Sequence, residues 1–264
     1  MSQALVKKKK TAGADKAAEG KKLGIGEHLL AMRRMVVIIA GAIFICFFLV
    51  FYLLSQPLVD FILQPVAQRG VTVIATKVAE SLMMRVKTCL VASIVICMPV
   101  IIWQVWNFVG PALYLDEKKM VRLLFFLMVL MFLIGVVFAY LTVFPMAIDL
   151  FYEASQGVAV PMWSVEGYFS FVLSFVLPFG LMFELPVVIY ILARKGRVTS
   201  KALAANRKYF ILGAAVVAAI LTPPDVVSQI LLLAPMLLLY EVSVLIARTV
   251  SADKKEPLRA QGQP

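Results

Sequence analysis

Apolar stretches about as long as a bilayer is thick recur along this chain, and nothing else in it constrains the fold as strongly. A helix needs roughly 20 apolar residues to cross the hydrocarbon layer. Six runs approach or exceed that length: about Met35–Leu54, Met84–Phe108, Leu123–Leu150, Gly167–Ala193, Tyr209–Leu221 and Val226–Ala247. The third is long enough to tilt or to project from the membrane. The fifth is short, and its extent depends on where the turn at Thr222–Asp225 falls. With 62% of its 264 residues hydrophobic, the chain lies far from the composition of a soluble domain. The expected fold class is therefore all-α, a polytopic membrane protein of six transmembrane helices. The first run reads as a retained span rather than a cleaved leader. A basic segment precedes it, no small-residue cleavage site follows Leu54, and five further runs come after it.

Charge then orients the spans. Nine Lys/Arg fall in residues 1–34, three in 116–122, six in 194–208 and four after Ala247. The alternate loops carry four in 55–87 and none in 150–166 or 222–226. Basic residues gather on the cytoplasmic side, so both termini are expected there. The net charge of +11 is thus orientation information, and a nucleic-acid partner is not needed to explain it.

Residues 1–22, rich in Lys, Ala and Gly, are expected to be disordered or to rest on anionic lipid. A helical membrane domain over 23–250 and a polar tail over 251–264 complete the expected organisation. From Ile25 to Val37 an amphipathic helix would lie at the interface, and Ser55–Glu80 would hold an interfacial helix plus an extended piece at "GVTVIAT". No internal repeat is evident, which weighs against inverted-repeat transporters.

Catalytic chemistry is thin. There is one histidine, His28, and no G-x-S-x-G, H-E-x-x-H or phosphate-cradling glycine loop. Cys46, Cys89 and Cys97 lie inside expected spans, far apart in sequence and without a C-x-x-C. They read as small apolar residues, with no disulfide, metal or cofactor to assign. An enzyme is not expected.

The informative residues are the acids in the apolar runs. Glu184 and Glu241 fall within spans, with Asp149 and Asp225 near span ends, and no Lys or Arg lies deep enough to pair with them. An ionisable group in a membrane span is costly and marks a site by default. For Glu184 two readings stand: a neutral carboxyl hydrogen-bonded to a neighbouring helix, or a site facing a cavity, with Pro178 and Pro186 bending the helix around it. Asp149 reads as solvated. Asp225 is positioned to cap the last helix, and Gln229 to bond across helices.

Several motifs together resemble one family. They are "SFVLPFGLMFELP" from Ser174, Leu221–Gln229, "QVWNFVGPALYLDEKK" from Gln104, "FAYLTVFP" from Phe138 and "VIATKVAE" from Val73. In this order, from about His28 to Arg248, they are similar to TatC, the polytopic subunit of the twin-arginine protein translocase. The resemblance implies a concave, glove-like bundle in the bacterial cytoplasmic membrane that binds Arg-Arg signal peptides. It also implies a multimeric complex with TatA- and TatB-type single-span partners, exporting folded proteins on the proton-motive force.

On this chain the implied signal-peptide contacts are Glu117 with Phe108 before it, Glu27, Arg33 and Lys119. A guanidinium is a rigid fork that a carboxylate engages bidentately, which is why acids matter at that face. The family commonly has a glutamate where this chain has Ala31, and Glu27, one helical turn earlier, would stand in for it. Glu184 would open on a water-accessible hollow, Pro65 would match a proline of the first external loop, and Thr222 and Gln229 would line the docking region for partner helices. The rival reading is a proton-coupled transporter of a small solute, with Glu184 as the carrier.

Overall fold

The computed structural model of the protein describes residues 25–113, 118–156, 162–221 and 226–253, with side chains described for 29–108, 120–156, 162–220 and 226–250. It is built almost wholly from helices, in keeping with the expected class. Helix α1 runs Ile25–Ala67 and is followed by strand β1, Thr72–Ile74. Helices α2 (Glu80–Ile96) and α3 (Met98–Leu113) come next, then α4 (Lys118–Phe138). A π-helical segment, Ala139–Val143, joins α4 to α5 (Phe144–Ser155). Strand β2 (Met162–Ser164) leads into α6 (Val165–Phe183) and α7 (Leu185–Arg194). The chain ends with α8 (Ser200–Ala205), α9 (Arg207–Leu221) and α10 (Val226–Asp253).

Prolines explain most of the irregularities, because each lacks the N–H that the carbonyl four residues earlier would accept from. Pro99 falls beside the junction of α2 and α3, where the second span bends by 53° between Ile96 and Met98. Before Pro145 the helix widens into the π segment, which carries the chain past the proline without ending the span. At Pro186 the fourth span breaks into α6 and α7, with Glu184 at the join and its amide turned to Leu181 O at 3.1 Å.

Helix α6 runs through Pro178, which was expected to bend it, and α10 through Pro235; α1 does the same and corrects the expected boundaries. It holds Pro57 and Pro65 yet continues to Ala67, so the helical part of the first loop is an extension of the first span and not a separate interfacial helix. Pro65 would orphan the carbonyl of Phe61. The hydroxyl of Tyr140 donates to that oxygen at 2.8 Å, and Tyr168 donates to Ile62 O at 2.6 Å. Satisfying freed carbonyls from another helix is what lets a span tolerate proline.

Four helical stretches are long and apolar enough to cross a membrane, Leu29–Ala67, Met120–Ser155, Val165–Arg194 and Val226–Val250, and the bent α2–α3 pair makes a fifth. Helix α9, at 15 residues, is shorter than a spanning helix needs. Its expected place as a sixth span rests on the chain reversing around it.

Helix α6 is the centre of the packing. Tyr168, Phe169, Phe171, Val172, Phe175 and Phe179 are buried along it, against Phe144 and Ala147 of α5 and Met84 of α2. Its crossing with α4 is close. A Cβ on Gly135 would sit 2.6 Å from the carbonyl oxygen of Phe179, and one on Gly180 would sit 2.4 Å from the Phe132 ring. Only glycine at these positions lets the helices meet. Helix α7 packs on α10 through Ile189, Ala193 and Ala247. Helix α1, by contrast, presents Phe44, Ile45, Phe48 and Tyr52 outward, with 6% of its apolar window buried.

Candidate functional site

Two polar sites stand out, one at each end of the bundle, and a third group lies between them. At the end where α1 begins, Leu30, Ala31, Arg34, Met35 and Ile38 face Gln104, Asn107 and Phe108 of α3 across a cavity of about 560 Å³. Phe108, expected as a signal-peptide contact, therefore shares a cavity with Ala31, whereas Arg33, also expected there, is exposed and does not line it. Glu27 lies in α1 and Lys119 in α4, though their side chains are outside the described residues. Glu117 itself, with Thr222 and Asp225, also lies outside the described residues.

Glu184 requires a correction. It is buried, and neither of its carboxyl oxygens has a hydrogen-bond partner. Neither sequence reading holds within the single chain: no neighbouring helix donates to it, and its oxygens do not open on a hollow. The cause is local. The break before Pro186 turns residue 184 inward at the join, and Val187 and Ile191 of α7 pack against Trp106 and Leu124 just beyond it.

Glu241 is also corrected. The expectation that no basic residue pairs with it fails, because Arg207 at the start of α9 donates to its carboxylate at 2.7 Å. Both side chains are about half-exposed, so the pair lies where solvent reaches. Asp149 pairs with Arg69 while remaining half-exposed, so it is not simply solvated. Arg69 also donates to the carbonyl oxygen of Pro65 at 2.8 Å, which gives Pro65 a place in a helix-terminal network. Gln229 does bond across helices as expected, its Nε2 donating to Ala215 O at 3.1 Å.

The far end holds a residue that sequence reasoning missed. Glu80 opens α2 and is almost fully buried. Its Oε2 accepts from the Thr76 amide at 2.6 Å, the Thr76 hydroxyl at 2.9 Å and the Lys77 amide at 2.9 Å. Its Oε1 accepts from the Glu166 amide at 2.6 Å, across to the start of α6. The Glu166 amide bond, reinforced by those from Lys77 and Thr76, outweighs burial and holds the carboxyl well below the usual range, at about 2. Beside it β1 and β2 pair in parallel, Thr72 with Met162, Val73 with Trp163 and Ile74 with Ser164. The extended piece expected at "GVTVIAT" is this strand. An acid in the first turn of a helix is a legible start signal, but its partner 86 residues away is not.

A second miss concerns the cysteines. Cys46 and Cys97, separated in sequence, meet between α1 and the α2–α3 bend, and Cys97 also lies 3.5 Å from Ala42 O. Both are free thiols. Among the described residues no cluster of acids, histidines and cysteines could hold a metal.

Long apolar helices, glycine-mediated crossings and polar groups at the helix ends define a polytopic helical membrane protein. Comparison with known proteins narrows the class. The family described as "Sec-independent protein translocase protein (TatC)" matches residues 27–235, and the chain belongs to that family. It is 38% identical over 233 residues to the Sec-independent protein translocase protein TatC of Carboxydothermus hydrogenoformans, covering 88% of this chain and 96% of that one. Against the protein of the same name from Escherichia coli the identity is 38% over 229 residues, covering 84% and 86%. A crystal structure of the twin arginine translocase receptor TatC superposes with a TM-score of 0.78 at 37% identity, covering 85% of this chain and 99% of that one. The protein is thus a protein-transport component, and the small-solute transporter alternative is not favoured.

Proposed function

We propose that this protein is the receptor and assembly core of a twin-arginine translocase. It binds Arg-Arg signal peptides at the end of the bundle where α1 begins. There Glu117 accepts the guanidinium groups, Glu27 assists, and Phe108, Arg33 and Lys119 border the peptide. It sits in a bacterial cytoplasmic membrane with six spans and both termini cytoplasmic, in multimeric complexes with TatA- and TatB-type subunits. Those partners dock along α9 and α10, near Thr222 and Gln229, and folded cargo crosses on the proton-motive force. The observation that carries the reading is the family match over residues 27–235, which spans both the Phe108 cavity and Glu184. The positive-inside count supports the orientation. Further support for six spans comes from the antiparallel contact of α9 and α10, tied by Gln229 to Ala215.

The test is photocrosslinking of an Arg-Arg precursor to the protein in native membranes. Glu117→Ala is expected to weaken the crosslink and slow export with the protein present at normal levels. Unchanged binding and export would remove Glu117 from the role. Mild detergent extraction should also bring down single-span partners with the precursor.

A further inference from the structure

Cys46 and Cys97 stand apart from the polar sites described above, and the geometry around them is specific. The Cys97 Sγ lies 3.5 Å from the carbonyl oxygen of Ala42. Within a helix that oxygen accepts from the amide four residues on, which is that of Cys46. Helical side chains lean back over the preceding turn. The Cys46 thiol therefore stands over the place where the Cys97 thiol sits, and the two interact. Ala42, Cys46 and Val50 share one face of α1 at four-residue spacing. Val50 is fully buried, so this is a face that α1 turns to its neighbours.

Position gives the pair leverage. Cys97 is at the join of α2 and α3, where the second span bends by 53°. Cys46 lies eight residues after Ile38, and Cys97 seven before Gln104. Ile38 and Gln104 line the cavity at the end where α1 begins, so the thiols sit about 10–12 Å beneath it, at the base of its two walls. Cys46 is half-buried and Cys97 buried, so an oxidant arriving from the lipid meets Cys46 first. Both fall inside apolar runs, which a neutral hydroperoxide enters far more readily than a charged thiol reductant does.

We propose that Cys46 and Cys97 form an oxidation site, where a hydroperoxide joins them in a disulfide that pins α1 to the bend of the second span. With hydrogen peroxide, the Cys46 sulfur bonds to one oxygen as the O–O bond breaks, and the thiol proton leaves with the other oxygen as water. The Cys97 sulfur then attacks the resulting sulfenic acid. The S–S bond forms, the S–O bond breaks, and the Cys97 proton leaves with that oxygen as a second water. The two thiols give up two electrons, which the peroxide gains. The inference goes beyond the receptor reading and does not rest on it.

The experiment treats the full chain in lipid nanodiscs with hydrogen peroxide, counts open thiols with a maleimide after denaturation, and maps linked peptides by mass spectrometry. Two of the three cysteines should become closed to the maleimide, with the loss of two hydrogen masses and a linked Cys46–Cys97 peptide. Dithiothreitol should reopen both. Closing this loop is expected to raise the melting temperature of the oxidised protein by several degrees. Cys46→Ala and Cys97→Ala should each abolish the link and the shift, whereas Cys89→Ala should keep them. Three open thiols after peroxide, a link to Cys89 or between two copies, or a sulfonic acid in place of the link would overturn the pair. An unchanged melting temperature in the mapped disulfide form would overturn the pinning.

Discussion

Both carboxyl oxygens of Glu184 are buried without a bond, a situation that costs several kcal/mol for a charged group and about 1–3 for a neutral one. A fold gains nothing from this, so replacing the acid with an apolar residue of similar volume should be neutral or stabilising. Glu184→Met is therefore expected to keep or raise the melting temperature in detergent while impairing export. A drop in membrane accumulation or in melting temperature would make Glu184 a structural residue. Glu80 presents the opposite case, since every acceptor position in use is filled. Its folded pKa is depressed to about 2, so its contribution is complete above the unfolded carboxylate range and is lost as pH falls towards 2. Protection of the Thr76, Lys77 and Glu166 amides from exchange, taken relative to free amides at the same pH, should hold from neutral pH to about 5 and fall only in stronger acid. In Glu80→Ala, which keeps no acceptor, protection at these amides should be lost throughout.

Among the elements, the crossing of α4 on α6 is the most demanding. A methyl group at Gly135 meets backbone atoms that cannot move aside, the Phe179 oxygen at 2.6 Å and the Gly180 Cα at 3.0 Å. Gly135→Ala should cost about 1–3 kcal/mol through overpacking, read as a lower melting temperature. Gly41→Ala and Gly213→Ala, with nothing within 4 Å of the added carbon, should be near neutral. The same scale shows what the sequence could disclose. Apolar runs and their lengths announced the helices, and Pro186 announced the break at Glu184. The persistence of α1 through Pro65 was not legible, because the hydroxyl that satisfies Phe61 belongs to Tyr140, 79 residues on. Glu241 looked unpaired for the same reason, its partner Arg207 lying on the preceding helix. Local pattern predicts what a residue requires, and only packing shows what supplies it.

For the whole molecule, the uneven span lengths matter most. Helix α9, at 15 residues, reaches about 22 Å, against roughly 30 Å of hydrocarbon. Either the bilayer thins around it or polar residues at its ends are drawn inward. Under the proposed function, precursor export by reconstituted complexes should fall as acyl chains are lengthened, and insertion of extra apolar residues into α9 should shift that dependence. An export rate indifferent to lipid length would remove thinning from the mechanism.

The pairing of β1 with β2 has a mechanical consequence. Together with the carboxylate bridge from Glu80 to the Glu166 amide, it fastens the first extramembrane connection to the start of α6. Helices α2 and α6, clasped at this rim like two ribs of a fan, can part only at the opposite one, where α7 and α10 are in turn held together by Ile189, Ala193 and Ala247.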